Sequence, residues 1–191
     1  MIFERFRQLG TATHSSCKGF GLGLAIAKDL VELNFGKLFV ESSPSQGSKF
    51  FFTVPINAPV NVMTRYIQFI ENSPTCPQLV TLVKAHASTL ENKNGMDDAE
   101  DFLNSLCRCN DLLLRCPDNT FLFALSTDKI ELQSFLDRAQ QTWECTNRNR
   151  PRGPLPELQY EFVGTWQVAE ERDTFTQVVS DLIEAEQVAN V

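Results

Sequence analysis

Apolar side chains return at helical intervals at Leu22, Ile26, Leu30 and Leu33, with Lys28, Asp29 and Glu32 between them. The spacing predicts an amphipathic helix with one buried stripe and one wet face. Asn34-Phe35-Gly36 is expected to stop it, since Asn and Gly tolerate the left-handed conformation that ends helices. The period then changes to two. Leu38 and Val40 alternate with Phe39 and Glu41, and Phe50, Phe52 and Val54 alternate with Phe51 and Thr53, predicting two strands joined by the loop from Ser42 to Ser48. One helix and one hairpin cannot cover Phe3, Phe6, Phe39, Phe50, Phe51 and Phe52, so this stretch requires a further layer.

Pro55-Ile56-Asn57-Ala58-Pro59 breaks the last strand, because proline cannot donate to a ladder, and marks a boundary. We expect residues 1–58 to form one part, residues 59–63 a linker and residues 64–191 a second domain. Val60, Met63, Ile67 and Ile70 predict a helix to about Glu71, and the apolar run from Gln78 to Val83 a strand. Asp97 to Leu106 reads as a helix, Leu112 to Leu114 as a short strand and Phe121 to Leu125 as another. Asp128, with Glu131 three residues on, is a capped start for a helix bearing Leu132, Phe135, Leu136, Ala139 and Trp143. A loop from Thr146 to Pro156, a strand around Tyr160 to Val168 and a helix from Asp173 close the chain. The alternation implies an α/β sandwich, a sheet with helices packed on it. Residues 113–123 and 160–170 read as sheet core and poor places for chemistry.

The 191 residues are 42% hydrophobic and 21% charged, which excludes wholesale disorder. Charge is unevenly spread. Residues 1–58 hold six Lys/Arg against four Asp/Glu, a net +2, while residues 59–191 hold eleven against twenty, a net −9, so the chain's −7 arises from its second part. That balance argues against nucleic-acid binding. No apolar run approaches the ~20 residues that span a bilayer, and no secretory signal opens the chain, so a cytoplasmic location is expected, or the cytoplasmic end of a longer, membrane-bound sensor. The six cysteines, Cys17, Cys76, Cys107, Cys109, Cys116 and Cys145, are expected to be free thiols. Cys107-x-Cys109 has no second Cys or His pair at ligand spacing, so no metal site is expected there, and His14 and His86 read as loop or core residues.

The candidate chemistry lies in Gly19-Phe20-Gly21-Leu22-Gly23-Leu24, three glycines at alternate positions running into the first helix. Glycines admit an anion close to the backbone, and the free N–H groups and positive dipole end of a helix point at it. The spacing matches neither the dinucleotide fingerprint nor the Walker loop, and by itself also suits a plain loop-to-helix turn. Its flanks add information: Ile2-Phe3-Glu4-Arg5-Phe6 upstream and Gly47-Ser48-Lys49-Phe50 downstream. In that order and at those distances, residues 2–56 resemble the C-terminal half of the ATP-binding domain of sensor histidine kinases. Phe3 to Phe6 look like its F box, Gly19 to Leu24 like its second glycine box, and Gly47-Ser48-x-Phe50 like its closing strand.

The resemblance implies that Gly19, Phe20, Gly21, Leu22, Gly23 and Leu24 surround the phosphates of ATP, and that residues 8–18 are the lid. Lys18 would meet a phosphate there, and Ser48 would join the water network near adenine. ATP and Mg2+ are thus the implied cofactors of an intact parent. Two departures stand out: Phe20 occupies a position usually small or polar, and Ser48 one where threonine is usual. The family also uses an Asn-bearing helix for magnesium, an Asp-x-Gly-x-Gly box for adenine and a phosphoacceptor-histidine hairpin. No Asp-x-Gly-x-Gly occurs in the chain. Because Met1 opens directly onto the F-box-like residues, we expect a C-terminal fragment that does not bind ATP tightly alone.

A second, weaker resemblance runs from about residue 64 to 190. Arg108-x-x-Asp111-x-x-x-Arg115-x-Pro117-Asp118-Asn119-Thr120-Phe121-x-Phe123 looks like the approach to the signature of GGDEF domains, the diguanylate cyclases. Pro117 and Asp118 stand in its glycine positions, Asn119 and Thr120 in its acid positions. Lys84-Ala85-His86-Ala87 is expected after the first strand, where a cyclase supplies a metal-binding aspartate. A neutral amide and a hydroxyl cannot replace two carboxylates at a two-metal centre, so a ferredoxin-like, GGDEF-like domain without cyclase activity is implied. The leading expectation is a histidine-kinase fragment, partnered by the kinase's dimerisation and phosphoacceptor helices and by a response regulator. The alternative is a non-catalytic signalling adaptor that binds its partner through the acidic second domain.

Overall fold

The computed structural model describes residues 2–7, 20–56, 58–73, 76–88, 95–116, 119–151 and 153–188. Its elements are α1 (Gly23–Leu33), β1 (Lys37–Ser43), β2 (Gly47–Thr53), α2 (Pro59–Asn72), β3 (Leu79–Ala87), α3 (Gly95–Leu106), β4 (Leu112–Arg115), β5 (Thr120–Leu125), α4 (Lys129–Arg148), β6 (Leu158–Gln167) and α5 (Val168–Val188). The chain divides into two units, one up to Arg65 and one from Tyr66 on. The stretch expected as a linker is the start of α2, with Pro59 at its first position, where a missing N–H does no harm.

In the first unit β1 and β2 form an antiparallel hairpin, with Leu38 beside Phe52, Phe39 beside Phe51 and Val40 beside Phe50. Asn34 caps α1, and the left-handed residue is Phe35 (φ 56°), not Asn34 or Gly36. Phe35 N–H donates to Glu32 O and Gly36 N–H to Val31 O, both at 2.9 Å. These two bonds satisfy two of the last carbonyls of the helix, which holds Phe35 in a conformation costing a side chain about 1 kcal/mol. Gly36 serves close approach instead: a Cβ there would lie 2.0 Å from Thr53 O.

The expected buried stripe of α1 is not buried. Ala25 is the one buried residue of the helix, while Ile26, Leu30 and Leu33 are each more than half exposed. Phe6, Phe50, Phe52 and Val54 are exposed as well. The reason is the shortage of layers foreseen from the pattern: a two-stranded hairpin and one helix leave most of this apolar surface uncovered.

The second unit is a four-stranded sheet in the order β4-β5-β3-β6, each neighbouring pair antiparallel. With α3 and α4 as crossovers, β3-α3-β4-β5-α4-β6 is the ferredoxin-like split βαβ arrangement. Alternation along the strands builds two cores. Val83, Ala85, Phe121, Phe123 and Leu125 face α3 and α4, meeting Ala99, Phe102, Leu103, Leu132 and Phe135. On the other face, Tyr66 of α2 donates its hydroxyl to Ala124 O at 3.1 Å, and Phe175 of α5 meets Trp166 edge to face at 5.4 Å. Arg172 of α5 pairs with Glu71 of α2 at 3.4 Å. Burial raises the Tyr66 phenol well above its usual range.

Three further details differ from expectation. Lys84, Ala85, His86 and Ala87 lie within β3 rather than after it. α5 takes in a helical turn from Val168 ahead of the expected start at Asp173; a non-helical φ/ψ at Glu171 marks a kink between the two, and the Glu171 carboxylate accepts the N–H of Gln167 at 2.8 Å. Asp128 caps α4 as expected, accepting from Ile130 and Glu131 N–H at 2.9 and 3.0 Å. The Glu131 carboxylate, however, takes the Thr127 hydroxyl at 2.5 Å instead of closing the capping box.

Candidate functional site

Leu22 stands at the N-cap of α1 and carries no side-chain acceptor, and no acidic residue occupies the first turn. The helical ladder starts where Ile26 N–H donates to Leu22 O at 2.9 Å, so the N–H groups before it are not used by the ladder. Such an end is suited to an anion.

Gly21 shapes the approach. Its φ is 68°, and a Cβ there would sit 2.7 Å from Arg7 O and 2.9 Å from the Phe6 carbonyl carbon. Only glycine fits, for conformation and for space. The contact it permits is a backbone hydrogen bond, Phe6 N–H to Gly21 O at 3.0 Å, made with Phe6 itself at φ 64°. Arg5 reaches Asp29 of α1 at 2.8 Å, and Arg7 reaches Glu4 at 2.6 Å. Residues 2–7 are thereby tied to the glycine turn and to the helix it opens.

Gly23 differs: a Cβ there would meet nothing within 4 Å, so its bare backbone leaves the helix start open rather than packed. Phe20 is 83% exposed and Leu24 lies at the surface. Gly19, Lys18 and the whole expected lid, with His14 and Cys17, lie outside the described residues. Ser48 belongs to a separate place. Its Oγ is 2.8 Å from Ser42 Oγ, and it lines a hollow of about 280 Å³ built from hairpin residues such as Ser43, Gln46 and Lys49, without the glycine turn. The structure thus joins Gly21 to the Phe6–Arg7 backbone and leaves Ser48 apart from them. That junction was missed in the sequence because backbone contacts leave no side-chain signature.

In the second unit, the residues singled out have structural partners. Asp111 accepts from Arg108 N–H at 2.8 Å and Ser126 N–H at 3.1 Å, stapling two loops. Arg115 bonds Asp97 and Glu100, both at 2.9 Å, which raise its pKa. Asn119 takes the left-handed turn position (φ 59°), and Thr120 is buried with its Oγ1 3.3 Å from His86 Nδ1. Pro117 and Asp118 lie outside the described residues. Cys107 is half-buried, and burial, then Asp111, pushes its thiol up to about 12. Among the described residues no group of three or more His, Cys, Asp or Glu side chains could hold a metal ion. Tyr160, Glu161 and Gln159, in and beside the stretch read as sheet core, instead line hollows of about 280 and 360 Å³.

Comparison with known proteins gives the first unit its kinship. Residues 1–58 match the family described as histidine kinase-, DNA gyrase B-, and HSP90-like ATPases. The match stops there. Sensor histidine kinase TmoS of Ectopseudomonas mendocina is 45% identical over 58 residues, 30% of this chain and 6% of TmoS. Adaptive-response sensory kinase SasA of Prochlorococcus marinus is 46% identical over 56 residues, 29% of this chain and 14% of SasA. Sensor histidine kinase AruS of Pseudomonas aeruginosa is 51% identical over 55 residues, 29% of this chain and 6% of AruS. The chain therefore spans a small fraction of the curated relatives it matches. No solved structure matches it. Among the described residues no helix is long and apolar enough to cross a membrane.

Proposed function

We propose that residues 1–58 are the phosphate-gripping half of a sensor histidine kinase ATP-binding domain, and that the intact parent phosphorylates a histidine with ATP and Mg2+ in the cytoplasm. Gly19, Phe20, Gly21, Leu22, Gly23 and Leu24 surround the polyphosphate, Lys18 reaches it from the lid, and Ser48 serves the adenine end. Supporting the reading most directly is the Gly21 turn, which holds the Phe6–Arg7 backbone against an uncapped helix start. Bound ATP supplies the phosphoryl group. These residues orient its tail through backbone N–H groups, and the chemistry depends on that positioning.

The half is incomplete as a binding site. Exposed Ile26, Leu30, Leu33 and Phe52 fit a surface that the rest of the domain covers in the parent. The phosphoacceptor helices and a response regulator are then its partners. Residues 64–191 serve as a regulatory or docking domain of GGDEF-like descent, in which Asn119 and Thr120 replace the catalytic acids.

Calorimetric titration with ATP and Mg2+ tests this. The chain alone is expected to show no saturable binding at micromolar ATP, whereas a parent carrying the upstream half binds, and Gly21→Ala in that parent weakens binding. A micromolar isotherm from the chain alone overturns the claim of incompleteness. A parent that ignores ATP overturns the nucleotide reading.

A further inference from the structure

The outer side of β6 is open: it ends the sheet, with β3 as its one strand neighbour. Hydrogen bonds around it show which backbone groups face outward. Ser88 N–H donates to Glu157 O at 2.9 Å, so Glu157 turns inward. Ala87 N–H instead donates to Asn119 O, on the opposite side of β3. Its register partner Leu158 therefore turns its N–H and C=O away from the sheet, and so does Tyr160 two residues on. Among the described residues no partner meets either on that side. Exposed edges are usually blunted by lysine, proline or a cover, yet β6 carries Glu161 as its one charge and no proline. A register shift falls opposite Leu82 and Val83, beyond the stretch 157–161.

Beside this edge, between α4 and β6, lies the hollow of about 280 Å³, lined by Trp143, Leu158 and Tyr160 together with Gln140, Glu157 and Gln159. Trp143 is held by its Nε1–H, which donates to Pro156 O at 3.0 Å. Strand alternation puts Leu158 and Tyr160 on this face and Glu157, Gln159 and Glu161 on the other. A strand added here would meet apolar surface with one set of its side chains and carboxylates with the next.

Charge decides the occupant. A second copy of the chain would bring its own Glu157 and Glu161 and a net charge of −7, so like charges would oppose pairing. A cationic strand gains from the same field. Lys84 faces Glu161 from β3, which leaves Glu157 as the stronger attractor. We propose that β6 is a docking edge at which an extended segment of a partner protein, alternating basic and apolar residues, adds as an antiparallel fifth strand like every other in the sheet, its apolar side chains entering the Trp143–Tyr160 hollow.

The test uses the full chain and a fluorescein-labelled, end-capped peptide alternating Lys with Val and Leu, followed by anisotropy at low salt. Saturable one-to-one binding is expected. Residues that pair with Leu158 and Tyr160 point their N–H groups at β6, and they are the apolar ones. N-methylation of the Val and Leu amides should therefore weaken binding about tenfold, and N-methylation of the Lys amides far less. Glu157→Lys combined with Glu161→Lys, at exposed positions, should also weaken binding about tenfold. Absence of saturation, equal effects of the two methylated peptides, or unchanged affinity in the charge-reversed variant would overturn the proposal. So would a concentration-dependent dimer in sedimentation that the peptide fails to dissolve, since that places a second copy on the edge.

Discussion

α1 and α3 are both short amphipathic helices with clear apolar spacing, yet they end in opposite states. α3 buries Ala99, Phe102, Leu103 and Leu106, whereas α1 buries Ala25 alone. The difference lies in what stands opposite. α3 packs with α4 on one face of a four-stranded sheet. α1 has a two-stranded hairpin whose own Phe50 and Phe52 remain exposed. Periodicity reports the face a helix is able to bury, and burial itself requires a second surface. A helical stripe left bare in one unit beside fully used stripes in another marks where a covering layer is to be sought.

The largest effect that can break this comparison is folding itself. Residues 59–191 expressed alone should unfold cooperatively in denaturant, while residues 1–58 alone should show little far-UV circular dichroism and no cooperative transition. The reverse outcome sinks the division. Next come single truncations in the full chain. Phe123→Ala, in a fully buried ring packed edge to face on Phe135 at 5.3 Å, should lower stability by about 3–5 kcal/mol. Phe52→Ala, at a ring 62% exposed, should change it by less than about 1 kcal/mol. Equal losses at the two sites would mean that exposure misjudges the hairpin.

Smaller effects probe backbone devices within the second unit. A Cβ on Gly164 would lie 2.4 Å from the Trp166 indole, which packs against Phe175. Gly164→Ala should therefore displace the ring, costing about 1–3 kcal/mol and shifting tryptophan emission. Asp128→Ala removes the acceptor of two α4 N–H groups and should cost about 1 kcal/mol, seen as a lower denaturation midpoint.

Much of this architecture was legible in the sequence because local signals and tertiary partners agree in the second unit. Phe121 to Leu125 read as a strand and are buried throughout, and Asp128 read as a cap and is one. Where the reading fell short, a polar residue had two possible causes. Lys84 and His86 looked like the end of β3, but they alternate with buried Ala85 and Ala87 and occupy its open face. Asp173 looked like the start of α5, and the long helix does resume beside it after the kink at Glu171, but a separate turn from Val168 precedes it, with Glu171 taking the N–H of Gln167. At the candidate site, three glycines were visible but their different duties were not. Gly21 answers a positive φ and a close backbone, Gly23 answers open space, and neither distinction has a side chain to announce it.

The last effect concerns a proton and shows only at alkaline pH. Cys107 is half-buried and its thiol is pushed up to about 12, chiefly by burial, whereas Cys109 and Cys145 are exposed. Since the thiolate is the nucleophile, alkylation at pH 8 followed by peptide mapping should modify Cys109 and Cys145 well before Cys107. The same displacement has a sign for stability. The unfolded chain loses this proton near its usual value of 9.0 and the folded chain keeps it to about 12. The contribution is complete below the unfolded value and fades as pH rises between the two. Tyr160, raised by burial to about 12, adds a loss over the upper part of the same window. Both groups belong to the second unit, so alkaline destabilisation should fall on its cooperative transition, and Cys107→Ala should remove the earlier part of the decline. An unchanged pH profile in that variant would show that the Cys107 environment opens to water before the thiol titrates.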